Sequence, residues 1–142
     1  MMCVAAVDPG RDKCGLAVVK EDDATLFRRV IRTAELEAEL SAAQKTYAFS
    51  ALVLGNGTTS KQAESRIRKA LCVPVHVVDE YRTTELAKRA YWRIHPRTGW
   101  RRFLPATMLV PPEPVDDLVA VILARRYLAA KKESQEMRST EE

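Results

Sequence analysis

With 142 residues, 46% of them hydrophobic, the chain is sized for one domain that buries a single core without disulfides or a structural metal. Net charge is a modest +4, and the three cysteines, Cys3, Cys14 and Cys72, contain no CxxC pair. That excludes a disulfide framework and a zinc knuckle and predicts reduced, buried, apolar thiols. No apolar run nears the ~20 residues needed to span a bilayer, and no basic region precedes the N-terminal apolar run, so the expectation is a soluble, cytoplasmic protein without a membrane partner.

In chain order, Val4-Ala5-Ala6-Val7 is a buried-strand run ending in Asp8-Pro9-Gly10. Pro9 has no amide proton and Gly10 accepts angles closed to other residues, so the turn is sharp and leaves the Asp8 carboxylate at a sheet rim. An Asp in such a place also caps turns by bonding its own backbone. Leu16 to Val19, after Gly15, predicts the second arm of a hairpin, and Thr25 to Ile31 a third strand. Thr33 is placed to cap a helix to about Phe49, with Leu36, Leu40, Ala43 and Tyr47 at helical spacing. Ala51 to Leu54 then reads as a strand, residues 60–71 as a helix and Val75 to Val78 as a strand, an arrangement that requires parallel pairing.

Thr83 or Thr84 opens a further helix to about Arg93. Residues 94–114 hold five of the seven prolines and predict a long irregular connection. Val115 to about Ala130 predicts a closing helix, apolar all round from Leu118 to Ala124 and therefore buried. The domain is expected to span 1–131, with 132–142 a polar, disordered tail.

The chemistry lies in carboxylates at element ends. Asp8 ends the first strand, Glu80 follows the fifth, and Asp116 and Asp117 occupy the first turn of the last helix. In an α/β sheet, ligands gather at the carboxyl ends of parallel strands. If these acids meet there, each raises the others' pKa unless a cation neutralises them, and hard divalent cations prefer oxygen ligands. Mg²⁺ or Mn²⁺ is the natural occupant. Such ions activate water and stabilise a leaving oxygen, which is phosphodiester hydrolysis. Taken singly, each acid also has a structural role, since first-turn acids complement the helix dipole.

Four segments in order carry a family likeness: Asp8-Pro-Gly…Lys13-x-Gly15-x-Ala17-Val18; Leu54-Gly55-Asn56-Gly57-Thr58; Val78-Asp79-Glu80-x-x-Thr83-Thr84-x-x-Ala87; and Val115-Asp116-x-x-x-Ala120-x-Ile122-Leu123. The chain to about residue 130 resembles the YqgF family, the RuvX-like Holliday-junction resolvases and pre-16S rRNA nucleases. The Asp-Pro-Gly opening is closer to RuvC-type resolvases, and the Gly-Asn-Gly-Thr turn is similar to the YqgF-like domain of Tex-type transcription accessory proteins. The resemblance implies an RNase H-like α/β fold: a five-stranded mixed sheet, three antiparallel strands and then parallel ones, flanked by helices. It implies a Mg²⁺- or Mn²⁺-dependent endonuclease in DNA recombination or rRNA processing, with Asp8, Glu80 and Asp116 as its acidic triad. Asp117 is the alternative third acid. Where the family usually has Arg directly after the Glu, this chain has Tyr81 and then Arg82. Residues 94–114 also differ from the shorter, glycine-containing segment expected there.

Positive charge concentrates from Arg82 to Arg102: seven Lys or Arg against the single acid Glu85, with Tyr91, Trp92, Trp100 and Phe103 interleaved. Basic side chains neutralise phosphates and aromatic rings stack on unpaired bases, so Arg82, Thr83, Arg97, Trp100, Arg101 and Arg102 are candidates to bind branched DNA or structured RNA. A dimer interface, also rich in Trp, Tyr and Arg, is the competing reading, and the chain is expected to be a monomer or homodimer. Thr58, Thr59 and Lys61, at a helix N-terminus, are candidates for phosphate binding, as are Arg11 and Lys13 in the first turn. His76 is expected to be a packed strand residue. Two other classes stand beside the nuclease: a non-catalytic nucleic-acid-binding module, and an actin-like ATPase, which normally needs two such domains.

Overall fold

The computed structural model describes residues 2–57, 59–96, 99–104, 111 and 114–141; of the described residues, Arg101 and 139–141 are described by backbone alone. Thr58 and Arg97, two of the candidate nucleic-acid contacts, lie outside the described residues.

β1 (Cys3–Asp8) is built of small and β-branched residues, and Val4 to Val7 are all fully buried. It occupies the middle of a five-stranded sheet ordered β3-β2-β1-β4-β5, with β2 (Lys13–Lys20), β3 (Thr25–Arg32), β4 (Ala51–Gly55) and β5 (Val75–Val78). β1, β2 and β3 pair antiparallel, while β4 lies parallel to β1 and β5 parallel to β4. This is the mixed sheet expected from the sequence. Successive strand residues face opposite sides. Ala5, Val7, Leu16, Leu52 and Leu54 pack under α1 (Leu36–Tyr47) and α2 (Ser60–Ala70). Val4, Ala6, Ala17, Val19 and Val53 pack under α3 (Thr83–Ile94) and α4 (Asp116–Glu141).

That alternation decides where chemistry can occur. Asp8 follows Val4 and Ala6 on the α3/α4 face, Gly15 precedes Ala17 and Val19 on it, and Gly55 follows Ala51 and Val53. Register aligns them: Asp8 pairs with Gly15, Val7 pairs with Leu54 just before Gly55, and Gly55 pairs with Val78. One carboxylate thus stands at the carboxyl edge of the sheet between two residues that have no side chain. α4 crosses this face from Gly15 on β2, where its first turn sits, to β5, where Tyr127 stacks on His76 at 5.0 Å.

Several details depart from the sequence expectation. β2 begins at Lys13, so Gly15 lies within the strand, as glycine does where another backbone approaches closely. Thr33 does not cap α1: it sits in a 3₁₀ turn, Thr33–Glu35, and its hydroxyl donates to the Gly10 carbonyl at 2.9 Å, bracing the first turn. His76 is exposed, because β5 is a short edge strand. Cys72 is exposed while Cys3 and Cys14 are buried; in the connection after α2, Leu71 and Val73 turn inward instead. Within 94–114, residues Gly99–Phe103 form a 3₁₀ helix. The expected disordered tail is helical, since α4 continues to Glu141. Its polar residues bury little, but they are strong helix formers uninterrupted by Gly or Pro. Among the described residues, no helix is long and apolar enough to cross a membrane.

Candidate active site

Three elements deliver one acid each to the sheet edge. Asp8 ends β1, Asp116 opens α4, and Glu80 lies in the turn between β5 and α3. A Cβ on Gly15 would lie 1.8 Å from the Asp116 carbonyl oxygen, so the missing side chain is what lets α4 come down beside Asp8. A Cβ on Gly55 would lie 2.0 Å from Glu80 Oε1, and one on Gly57 would lie 3.1 Å from Oε2. The Glu80 carboxylate therefore rests in a cradle made by two glycines.

The turn holding Glu80 is anchored through its backbone. The Asn56 side-chain oxygen accepts from the Glu80 N–H at 3.1 Å, and the buried Thr83 hydroxyl donates to the Glu80 carbonyl at 2.8 Å. Arg126 of α4 donates to the carbonyls on either side, those of Asp79 and Tyr81. Asn56 belongs to the Leu54–Thr58 segment singled out above, but its role as a backbone anchor does not follow from that segment, and Arg126 is marked by no motif at all.

Asp8 is the centre of the cluster. Burial, together with hydrogen bonding and repulsion from Glu80 and Asp116, pushes its pKa up to about 8. Asp116 is also raised, chiefly by burial and by Asp117, and is eased down by Lys13 and by the bond from Asp8. Asp8 is thus the acid that keeps a proton, and Asp116 accepts from it. Glu80 Oε1 is buried with no hydrogen-bond partner among the described residues. The acids form a row with Asp8 in the middle, and among the described residues no three His, Cys, Asp or Glu close around a point where a metal ion would sit.

Asp117 turns away from this row: its carboxylate accepts from Arg28 at 3.1 Å and from the Leu118 N–H at 3.0 Å. Arg11 and Thr59 line a cavity of about 100 Å³ with Gln62 and Arg66, and Thr59 Oγ1 is buried without a partner among the described residues. Lys61 is exposed on the first turn of α2. Arg82 pairs with Glu85 at 3.2 Å in a left-handed backbone conformation. Thr83 is buried, so its hydroxyl serves the Glu80 turn rather than a ligand. Trp100 and Phe103 are exposed, at 66% and 75%, and the Arg102 guanidinium lies 4.9 Å from the Phe103 ring centre. The Arg101 backbone belongs to the same 3₁₀ turn.

No family model and no curated protein sequence matches the chain. Solved structures do. One is Thermus thermophilus RuvC in complex with a Holliday junction substrate, with a TM-score of 0.57 and 17% identity over 93% of this chain and 96% of that one. Another is the Thermus thermophilus RuvC structure, with a TM-score of 0.53 and 18% identity over 87% and 90%. The chain has an RNase H-like fold. In this RNase H-like sheet the three acids stand at the carboxyl ends of β1 and β5 and at the start of α4, the edge where ligands gather in α/β folds.

Proposed function

We propose that the chain is a divalent-metal-dependent endonuclease that hydrolyses phosphodiester bonds in structured nucleic acid, with branched DNA as the favoured substrate. The observation that carries this reading is the convergence of Asp8, Glu80 and Asp116, with a buried Glu80 oxygen that no donor among the described residues satisfies. A hard cation meets that need, and among the described residues Lys13 eases the charge only at Asp116. Asp8, Glu80 and Asp116 would hold Mg²⁺ or Mn²⁺, while Arg28 keeps Asp117 apart. Bound there, the ion would supply a nucleophile from water and charge stabilisation at phosphorus. Asp8 must release its proton for that to happen. Lys13, near Asp116, offers positive charge to a phosphate, and Arg11, Thr58, Thr59 and Lys61 would hold the flanking strand. Arg97, Trp100, Arg101, Arg102 and Phe103 would take unpaired bases and phosphates.

Membership of the YqgF group is part of the proposal and rests on the order of the four segments. The Asp-Pro-Gly opening and the RuvC likeness favour branched DNA over an rRNA precursor. The decisive assay offers a four-way DNA junction, a linear duplex and a structured RNA, each with Mg²⁺, Mn²⁺ or chelator. Metal-dependent nicking of the junction in preference to the duplex is expected; cleavage that persists in chelator would refute the mechanism.

Two further results are expected. Gly55→Ala should displace the Glu80 carboxylate and slow single-turnover cleavage about 10²-fold while leaving affinity intact, because an offset of ~1 Å in a catalytic group has that scale of effect. Full activity in this variant removes Glu80 from the site. Replacing Arg101 and Arg102 by Ala should flatten the dependence of log Kd on log salt by about 0.7 to 0.9 per residue. An unchanged slope takes both off the nucleic acid.

One observation favours a second reading, a non-catalytic nucleic-acid-binding module of the same fold: the acids as they stand do not close around a metal position. Binding without cleavage in either metal would select it.

A further inference from the structure

We infer that Arg126 is a positioning residue that aims Glu80 at Asp8; the inference rests on the nuclease reading above. Glu80 follows an edge strand of only four residues, and its turn is closed locally by the Tyr81 N–H donating to the Asp79 carboxylate at 3.1 Å and the Thr83 N–H donating to the Glu80 carbonyl at 3.0 Å. Tyr81 is 71% exposed, and Arg82 adopts a left-handed conformation with φ 61°. The Asn56 and Thr83 side chains fix the backbone of residue 80 itself. The residues on either side, beyond their own local bond, are held from α4. The Arg126 Nη1 donates to the Asp79 carbonyl at 3.1 Å and its Nη2 to the Tyr81 carbonyl. A planar, permanently charged fork is the one side chain that spans two carbonyls in a fixed geometry.

The source of this fork matters as much as its geometry. α4 also carries Asp116, at its first turn beside Gly15, and it reaches β5 near Arg126, where the next residue, Tyr127, stacks on His76. A single rigid helix therefore presents one acid directly and sets a second through Arg126. Asp8 stands between them on the buried central strand. The guanidinium binds backbone carbonyls and leaves the Glu80 carboxylate free for a cation.

The test compares the full chain with Arg126→Met, which keeps the apolar stem and removes the fork, and Arg126→Lys, which restores donors. Steady-state cleavage of a four-way junction gives kcat and KM, and electron paramagnetic resonance titration gives Mn²⁺ affinity without any turnover. Arg126→Met should lower kcat about tenfold or more and weaken Mn²⁺ binding by a similar factor, the scale on which outer-shell partners act, with KM within about twofold. Arg126→Lys, a point charge that cannot reproduce the two-pronged geometry, should recover only part of both losses. A raised KM at unchanged kcat would overturn the inference by placing Arg126 on the nucleic acid, and so would unaltered Mn²⁺ affinity in Arg126→Met. An unaltered chain that binds Mn²⁺ but cleaves nothing refutes the nuclease reading alone, and in that case the loss or retention of Mn²⁺ affinity in Arg126→Met still decides the positioning role.

Discussion

Asp8→Asn is expected to reduce cleavage at least about 10³-fold while making the protein more stable at pH 8. The loss follows from removing the central ligand of an ion whose charge stabilisation is worth several kcal/mol in the transition state. The gain follows from protonation. Folded Asp8 keeps its proton up to about pH 8, whereas the unfolded chain releases it near the ordinary value of 3.8. Between these values the folded state binds the extra proton, so stability falls as pH rises from about 4 to about 8 and levels off above. Asparagine imitates the neutral acid and abolishes that slope. The variant should therefore melt with the unaltered protein at pH 4 and several degrees above it at pH 8, followed by circular dichroism. Equal melting at pH 8 would mean that Asp8 is not held protonated. Because Mn²⁺ must displace this proton, its affinity for the unaltered chain should rise with pH, by up to about tenfold per unit below pH 8, and rise much less steeply in Asp8→Asn.

Gly15→Ala is the second large effect. The added methyl would lie 1.8 Å from the Asp116 carbonyl oxygen, 2.2 Å from its carbon and 2.8 Å from the Asp117 nitrogen. All three are backbone atoms in the first turn of α4, so no side chain can swing aside. Either α4 lifts or the hairpin bends. Overpacking of this kind costs about 3 kcal/mol, visible as a lower midpoint in urea, and it carries Asp116 away from Asp8, so cleavage is lost even below the denaturation range. Gly55→Ala meets a carboxylate end rather than backbone and should lose activity with much less stability. Similar midpoints for the two variants would contradict the close seating of α4.

The acids themselves were legible because each ends or begins an element that apolar patterning defines. Asp8 closes the run from Val4, Glu80 follows the run from Val75, and Asp116 precedes the run from Leu118. What gathers them was not legible. Gly15 and Gly55 act through the volume they leave empty, and that shows only when register places them on either side of Asp8. Asp117 is drawn off by Arg28 across 89 positions, a pairing that local spacing cannot reveal. Arg126 stands on a helix whose sequence reads as apolar, and its partners are carbonyl groups, which every residue has. The helical end of α4 did leave a signal, in the run of strong helix formers after Ala130, but low hydrophobicity masked it. Thr33 had the right residue type for a cap, and the Gly10 carbonyl claimed its hydroxyl first.

The place of β1 in the sheet has a kinetic consequence. Its amides lie between two strands and beneath helices on both faces, so they should exchange with deuterium only when the whole chain opens. β5 has one neighbour and four residues, and it can fray alone. Asp8 thus rides on the most protected strand of the molecule, and Glu80 rides on its margin. Loss of the constellation should begin at residue 80, with protection there collapsing at denaturant concentrations that leave β1 untouched.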